Sequence, residues 1–399
     1  MEIRAIADDE VLAFRTAMSS TFGFDPATDP HADARFRALV PGGRAVAAFD
    51  RGQLVATSAA FEFTLTVPGG RVPMSGLTMV AVRPSHRRRG LLTELVRAYL
   101  EETRRRGHPV GGLWASEASI YGRFGFGIAA EGDDLSFRAT GVEVAAGREL
   151  DEMAILDEPG PEDLAPIYDA VRAVRPGMLS RSADWWRFRR FLERPEMSRG
   201  TSARRHAVAR RGASATGYVT YRHRPSITDG LHDGKLEIEE LLATDARAEA
   251  TLLRYVATVD LFPEVTWWNA PTDGLLPWLA SDPRRIRRRR GDTLWLRIDD
   301  VAAALAARRY GADGVLVLEV DDPSARYALA VEGGAATCAP SADRADLRLD
   351  RPALANLYLG AFPATMLARA GRIAGAPAAL ARADRMFATP IAPWCTETF

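Results

Sequence analysis

The sequence predicts a mixed α/β (α+β) fold divided among several domains, and three observations predict it. GLTMVAV (76–82) and VGGLWAS (110–116) are almost continuous apolar runs, as strands buried on both faces would be. Between them Leu91, Leu92, Leu95, Val96 and Tyr99 recur at helical spacing. A related plan returns downstream, where the strand KLEIEELLAT precedes the helix AEATLLRYVATV, and the 399 residues exceed the roughly 100–200 of a typical single domain.

Residues 3–18 read as an amphipathic helix, and FDPATDPHAD as a loop. GRAVAAFD and QLVATSAAFEFTLTV read as strands joined at DRG, and Gly69–Gly70 suits a hairpin connection to the next strand. The acidic, Pro/Gly-rich DEPGPED (157–163) opens a second region, with HAVARR and ATGYVTYRHR as strands. RRIRRRRGDTLWLRI (284–298) crosses into a third, where GVLVLEVDD, ARYALAVEGG, AATCAPS and ADLRLDR read as short antiparallel strands. The expected domains are 1–150, 151–290 and 291–399.

Composition narrows the function. With 47% hydrophobic and 26% charged residues the chain is of the soluble globular type. Basic and acidic side chains balance at 52 each, so no global field draws it to nucleic acid or membrane. The N-terminus is acidic without an apolar core, and no run approaches the roughly 18 apolar residues of a membrane span. Cys338 and Cys395 have no CxxC spacing, so reduced thiols in the cytoplasm and no metal site are expected. RRIRRRR carries no interleaved aromatics, which favours a solvated or inter-domain segment over a nucleic-acid surface. Trp185, Trp186, Trp267 and Trp268 read as core and interface anchors, or as the walls of a wide pocket.

Strand, then Arg87-Arg88-Arg89-Gly90-Leu91-Leu92, then helix is an arrangement that binds pyrophosphate. A helix start leaves backbone N–H groups unpaired and partly positive. Gly90 permits close approach, and arginines add charge-assisted hydrogen bonds. No Ser/Thr for magnesium follows, unlike a nucleotide-hydrolysing loop. The alternative is a solvated basic helix start.

This stretch resembles the acyl-CoA-binding motif [RQ]-x-x-G-x-[GA] of the GNAT N-acetyltransferases, with Arg87 and Gly90 matching and Leu92 in the last, normally small, position. SEASIYGRFGFG (116–127) looks like that family's tyrosine-then-GF segment. Together with RADLRLDRPALANLYLG (344–360), these motifs are similar to the enhanced intracellular survival (Eis) subfamily. That resemblance implies tandem GNAT folds, the first binding acetyl-CoA, followed by a sterol-carrier-protein-like α+β domain. It also implies a hexamer that acetylates amines of aminoglycosides or lysine-like and polyamine acceptors.

Carried to this chain, the resemblance implies a bulge near Met79 that turns N–H groups toward the pantetheine arm. Val80 and Val82 would run beside that arm, while also serving the core. Tyr121 is the candidate general acid, since a phenol of reference pKa about 10 can protonate a thiolate of about 8.5 as it leaves; packing is its alternative. Ser116 and Glu117 are candidates for cofactor contact, Glu117 alternatively as a helix-start carboxylate. The terminal carboxylate, carried here by Phe399, would accept the amine proton. Asp25 and Glu397 are candidates for holding a cationic substrate, or else solvated acids. Two other functions stay open: a lipid-binding module built on the third region, and an acetyl-CoA-binding regulator without turnover.

Overall fold

In the computed structural model, which describes residues 1–23, 29–40, 42–140, 142–194, 198–321 and 324–399, the first element is a strand, β1 (Glu2–Ala5). It pairs antiparallel with β2 (Ala45–Asp50), so a sheet edge claims residues that sequence periodicity assigned to a helix. The helix α1 begins only at Val11 (Val11–Thr21). Helical spacing of apolar residues describes a face, and the ladder overrides it where a partner strand is available.

After α2 (Ala32–Leu39) come β2 and the long strands β3 (Gln53–Val67) and β4 (Gly70–Val82). Arg51 and Gly52 both take positive φ (52° and 81°), the turn twist that suits a tight hairpin. Helix α3 (Leu91–Arg105) leads to β5 (Val110–Trp114), α4 (Ala118–Tyr121) and the short β6 (Gly127–Ile128).

The chain then builds a second unit, formed by Glu131–Arg175 and Trp185–Asp292. Its elements are β7 (Glu131–Arg138), β8 (Glu152–Leu156), α5 (Pro161–Arg172) and α6 (Ala183–Trp185), which continues as a π-helical turn to Phe191. They continue as β9 (Arg205–Arg211), β10 (Ser214–Arg224), the small hairpin β11 (Ile227–Thr228) and β12 (Leu231–His232), β13 (Lys235–Ala243), α7 (Ala246–Ala257), β14 (Glu264–Ala270) and β15 (Arg287–Asp292). The sheet order is β15-β7-β14-β13-β10-β9-β8. The arginine run therefore lies on an edge strand, where Arg290 pairs with Asp133 at 3.0 Å and Arg289 with Asp134 at 3.6 Å. Exposed charges along an edge oppose the addition of a foreign strand. Trp185, Trp186 and Trp267 are core residues; Trp268 and Trp278 are exposed.

The first unit comprises Met1–Ala130, Pro176–Asp184 and Thr293–Phe399. Its sheet order is β1-β2-β3-β4-β5-β16-β6, where β16 (Leu294–Ile298) is inserted from far along the chain. The C-terminal part adds a five-stranded sheet of Gly314–Val320, Ala325–Glu332, Ala335–Pro340, Leu347–Leu349 and Ile373–Gly375, with helices including Arg351–Tyr358 and Pro377–Phe387. Asn356 donates to Ile128 O at 2.7 Å, joining this part to the β6 end of the first sheet. The fold is α/β.

Candidate active site

The parallel ladder between β4 and β5 runs only from Met74–Val110 to Leu77–Leu113. Beyond it β5 ends at Trp114, paired to Leu294 of β16, while β4 continues to Val82 with no strand partner on that side among the described residues. On the other side of β4 the register slips: Ala59 faces Thr78 and Thr57 faces Ala81. One residue of β3 therefore opposes Met79 and Val80, a bulge in which Met79 has φ 54°. The buried Thr57 hydroxyl holds it by donating to Met79 O at 2.8 Å. A bulge at a strand's unpaired end presents backbone N–H and C=O groups to whatever occupies the gap.

The turn after β4 brings the chain to α3 through Gly90, whose φ of 81° is left-handed and which caps the helix without a side chain. A Cβ there would meet no protein atom within 4 Å, so the space around Gly90 is open to a ligand. Arg88 is also left-handed at 61°. Arg89 lies 3.6 Å from Asp50, which also receives His86 Nε2 at 3.2 Å; the hydrogen bond from His86, then the nearby arginines, hold the Asp50 carboxyl below its ordinary range. Arg87 and Arg88 are exposed and have no ion pair among the described residues. Leu91 is buried against Ala48, Val55, Ala56 and Leu95, and Leu92 packs on the neighbouring core cluster. Their side chains belong to the core, so what these two positions offer a ligand is the N–H groups of the helix start.

Tyr121 ends α4 with 6% exposure, its ring edge-on to Phe126 at 6.2 Å. It belongs to the cluster of Leu77, Leu113 and Trp295, against which Val80 of the bulge also packs. Burial, with a smaller push from Glu117, raises its pKa, so the phenol stays protonated at neutral pH. No hydrogen-bond partner for its hydroxyl occurs among the described residues. Val82 is half-buried, and Ser116 and Glu117 are exposed at the turn into α4.

The chain end packs against the same strand. The Phe399 ring lies 5.1 Å from Phe63 and 6.5 Å from Phe61, both on β3. It sits over Gly76 so closely that a Cβ there would be 2.9 Å from its edge. Trp394 and Cys395 are buried, and burial pushes the Cys395 thiol up to about 12, which leaves it unreactive. Sequence reading offered Glu397 to a cationic substrate; its buried carboxylate is instead ion-paired with Arg181. Asp25 lies outside the described residues. Sequence reasoning missed Arg181, Gly76, Phe61, Phe63 and Thr57. None carries a local signal, because each matters only through a partner distant in the chain.

Residues 2–129 match the family model described as an acetyltransferase (GNAT) domain, and residues 177–298 a second model of the same description. Residues 301–396 match a sterol carrier protein domain. An uncharacterized N-acetyltransferase of Streptomyces coelicolor is 35% identical over 415 residues, covering 100% of both chains. The N-acetyltransferase Eis of Mycobacterium tuberculosis is 34% identical over 382 residues, 91% of each chain. Among solved structures, Eis1 from Mycobacterium abscessus superposes with a TM-score of 0.86 at 31% identity over 100% of both chains. A GCN5-related N-acetyltransferase from Kribbella flavida does so at 0.79 and 25% identity, over 100% of this chain and 98% of that one.

Proposed function

The chain belongs to the Eis N-acetyltransferases of the GNAT class, and from that premise we propose that it transfers the acetyl group of acetyl-CoA directly to an amine of an aminoglycoside, a polyamine or a lysine-like acceptor. The observation that carries this reading is the pairing of an open, glycine-capped helix start with the bulged, unpartnered end of β4. Pyrophosphate oxygens would lie at the α3 N–H groups with Arg87 and Arg88 beside them. The pantetheine arm would take the ladder position that β5 leaves empty beyond Leu113, as a short added strand, with the bulge at Met79–Val80 polarising the thioester oxygen.

In the proposed transfer, the neutral amine attacks the thioester carbonyl, a C–N bond forms and the C–S bond breaks. Tyr121 gives its proton to the departing thiolate. The nitrogen's proton goes to the carboxylate that Phe399 carries as the last residue of this sequence, its ring packed on Phe61 and Phe63. A phenol kept protonated by burial, with no hydrogen-bond partner among the described residues, is available for the acid role. Ser116 and Glu117 border the cofactor. A homo-oligomer, hexameric as in the resembled subfamily, and a cytoplasmic setting complete the proposal; among the described residues no helix is long and apolar enough to cross a membrane.

The test is CoA release from acetyl-CoA against a panel of aminoglycosides, polyamines and lysine peptides. A few residues added after Phe399 should abolish turnover while calorimetry shows unchanged acetyl-CoA binding, and an N-terminal tag should do no harm. Equal turnover in the two tagged forms removes Phe399 from the mechanism. CoA release with no acceptor in the panel, or none at all, supports the regulator reading instead.

A further inference from the structure

The short segment Pro176–Asp184 belongs to the first unit although the residues on either side of it belong to the second. It lies along the far end of β3, beyond the reach of β2, which pairs only with Gln53–Ala59. Gly177 N–H donates to Thr66 O at 2.8 Å, Thr66 N–H to Met178 O at 2.9 Å and Ser180 N–H to Thr64 O at 2.9 Å. Having paired with β3 on one side, the segment holds the chain end on the other. Trp394 N–H donates to Pro176 O at 2.8 Å. Gly177 has φ 91°, and a Cβ on it would be 2.8 Å from Trp394 O, so only glycine allows this approach. Arg181 Nε donates to Glu397 Oε1 at 2.5 Å, with side-chain exposures of 0% and 3%.

We propose that Arg181 is a positioning residue for the chain end, fixing Glu397 and through it the Phe399 carboxylate two residues on. This rests on the reading of that carboxylate as the proton acceptor. Taking both charges of a pair out of water offsets much of what their attraction returns, so the pair is a poor source of stability. What it does supply is direction. Nε and Nη2 of the planar guanidinium converge on Oε1 of Glu397 and fix that oxygen from two sides, which the single ammonium of a lysine would not do. With Trp394 tied to Pro176 and the Phe399 ring wedged over Gly76 beside Phe63, the Glu397–Arg181 bond fixes the stretch between them. Arg181 touches neither the reacting atoms nor the cofactor in this scheme. Its effect is on rate.

The experiment uses the full chain, with the amine that the parental enzyme turns over fastest. Arg181→Met alone leaves Glu397 buried without its charge partner, so both melting temperature and kcat should fall. Combining Arg181→Met with Glu397→Met removes the stranded charge and should recover the melting temperature. In that double variant kcat should remain down by about 10- to 100-fold, the scale of a small misplacement of a reacting group, with acetyl-CoA affinity unchanged. Arg181→Lys should fall between. A double variant with parental kcat overturns the proposal, since a purely structural pair would then be all there is. Should the double variant fail to fold, Arg181→Lys in a folded protein takes its place, and parental kcat there overturns the proposal equally. Full turnover with residues appended after Phe399 would sink the base reading itself. Inactivity of that form together with a fully active double variant sinks only the role of Arg181.

Discussion

The two units contain the same device, and only one of them leaves it open. In the first, β4 pairs in parallel with β5 from Met74–Val110 to Leu77–Leu113, a bulge follows at Met79–Val80, and α3 starts at Gly90. In the second, β13 pairs in parallel with β14 from Lys235–Glu264 to Ile238–Trp267, a bulge follows at Glu239, and α7 starts at Asp245. The backbone plan is common; the electrostatics are opposite. Asp245 accepts from Ala248 N–H at 2.9 Å and is bridged to Arg211 at 3.1 Å, so the helix start already holds an anion of its own. Glu239 at the bulge is bound by Arg204 at 2.6 Å and by Arg222 at 2.5 Å. Burial would raise its pKa, but the two arginines more than offset that and keep it ionised. Gly90 supplies no such anion. A carboxylate at the cap closes a phosphate site that a glycine leaves available.

The largest expected effect comes from making the first unit imitate the second. Gly90→Asp puts a carboxylate where the proposal places the pyrophosphate, at a position whose left-handed φ aspartate tolerates better than most residues. Acetyl-CoA affinity should fall beyond roughly a thousandfold, since several charge-assisted hydrogen bonds of about 1.5–3 kcal/mol each are lost together. Titration calorimetry beside a thermal melt decides it. Near-parental affinity in a folded variant would mean that the helix start is not the pyrophosphate site.

Next in size is the contrast between two buried tyrosines. The Tyr121 hydroxyl has no hydrogen-bond partner among the described residues, whereas the Tyr218 hydroxyl donates to Glu240, which also pairs with Arg190 at 2.9 Å. Tyr121→Phe should lower kcat by about a hundredfold or more at unchanged acetyl-CoA affinity, the ordinary scale of a lost general acid. Tyr218→Phe should cost melting temperature and leave kcat alone. Equal kcat values for the two would make Tyr121 a packing residue.

How much of this contrast the sequence carries follows from the range of each interaction. The strand–glycine–helix transition at 82–91 and the strand–helix pair at 235–257 are local patterns, and both were readable as such. Readability failed where a distant partner decides. Glu2–Ala5 is a strand because β2 pairs with it, and β16 joins the first sheet between β5 and β6 across a whole intervening unit. Glu397 looked like a free acid because Arg181, its partner, lies 216 residues away. Gly76 gave no sign of its role, which is to leave room for the rings of Phe63 and Phe399.

The smallest expected effect tests whether the cap alone separates the two units. Asp245→Ala removes the hydrogen bond to Ala248 and should destabilise the second unit by about 1 kcal/mol, the usual cost of a lost N-cap. Asp245→Asn keeps an equally good cap and loses only the charge facing Arg211. The hydrogen bond from Arg211 is the leading cause that holds the Asp245 carboxyl below its ordinary range. A depressed carboxyl pKa contributes stability that is present above the unfolded value and is lost as pH falls through the folded one. Asp245→Asn should therefore melt below the parent at neutral pH and in mild acid, and the gap should close only as pH falls below the ordinary carboxyl range. Neither variant, nor Asp245→Gly, should raise the acetyl-CoA stoichiometry, because Glu239 stays clamped at the bulge by Arg204 and Arg222. A second molecule bound by Asp245→Gly would show that the glycine cap suffices by itself, and that the bulge contributes nothing to keeping the second unit closed.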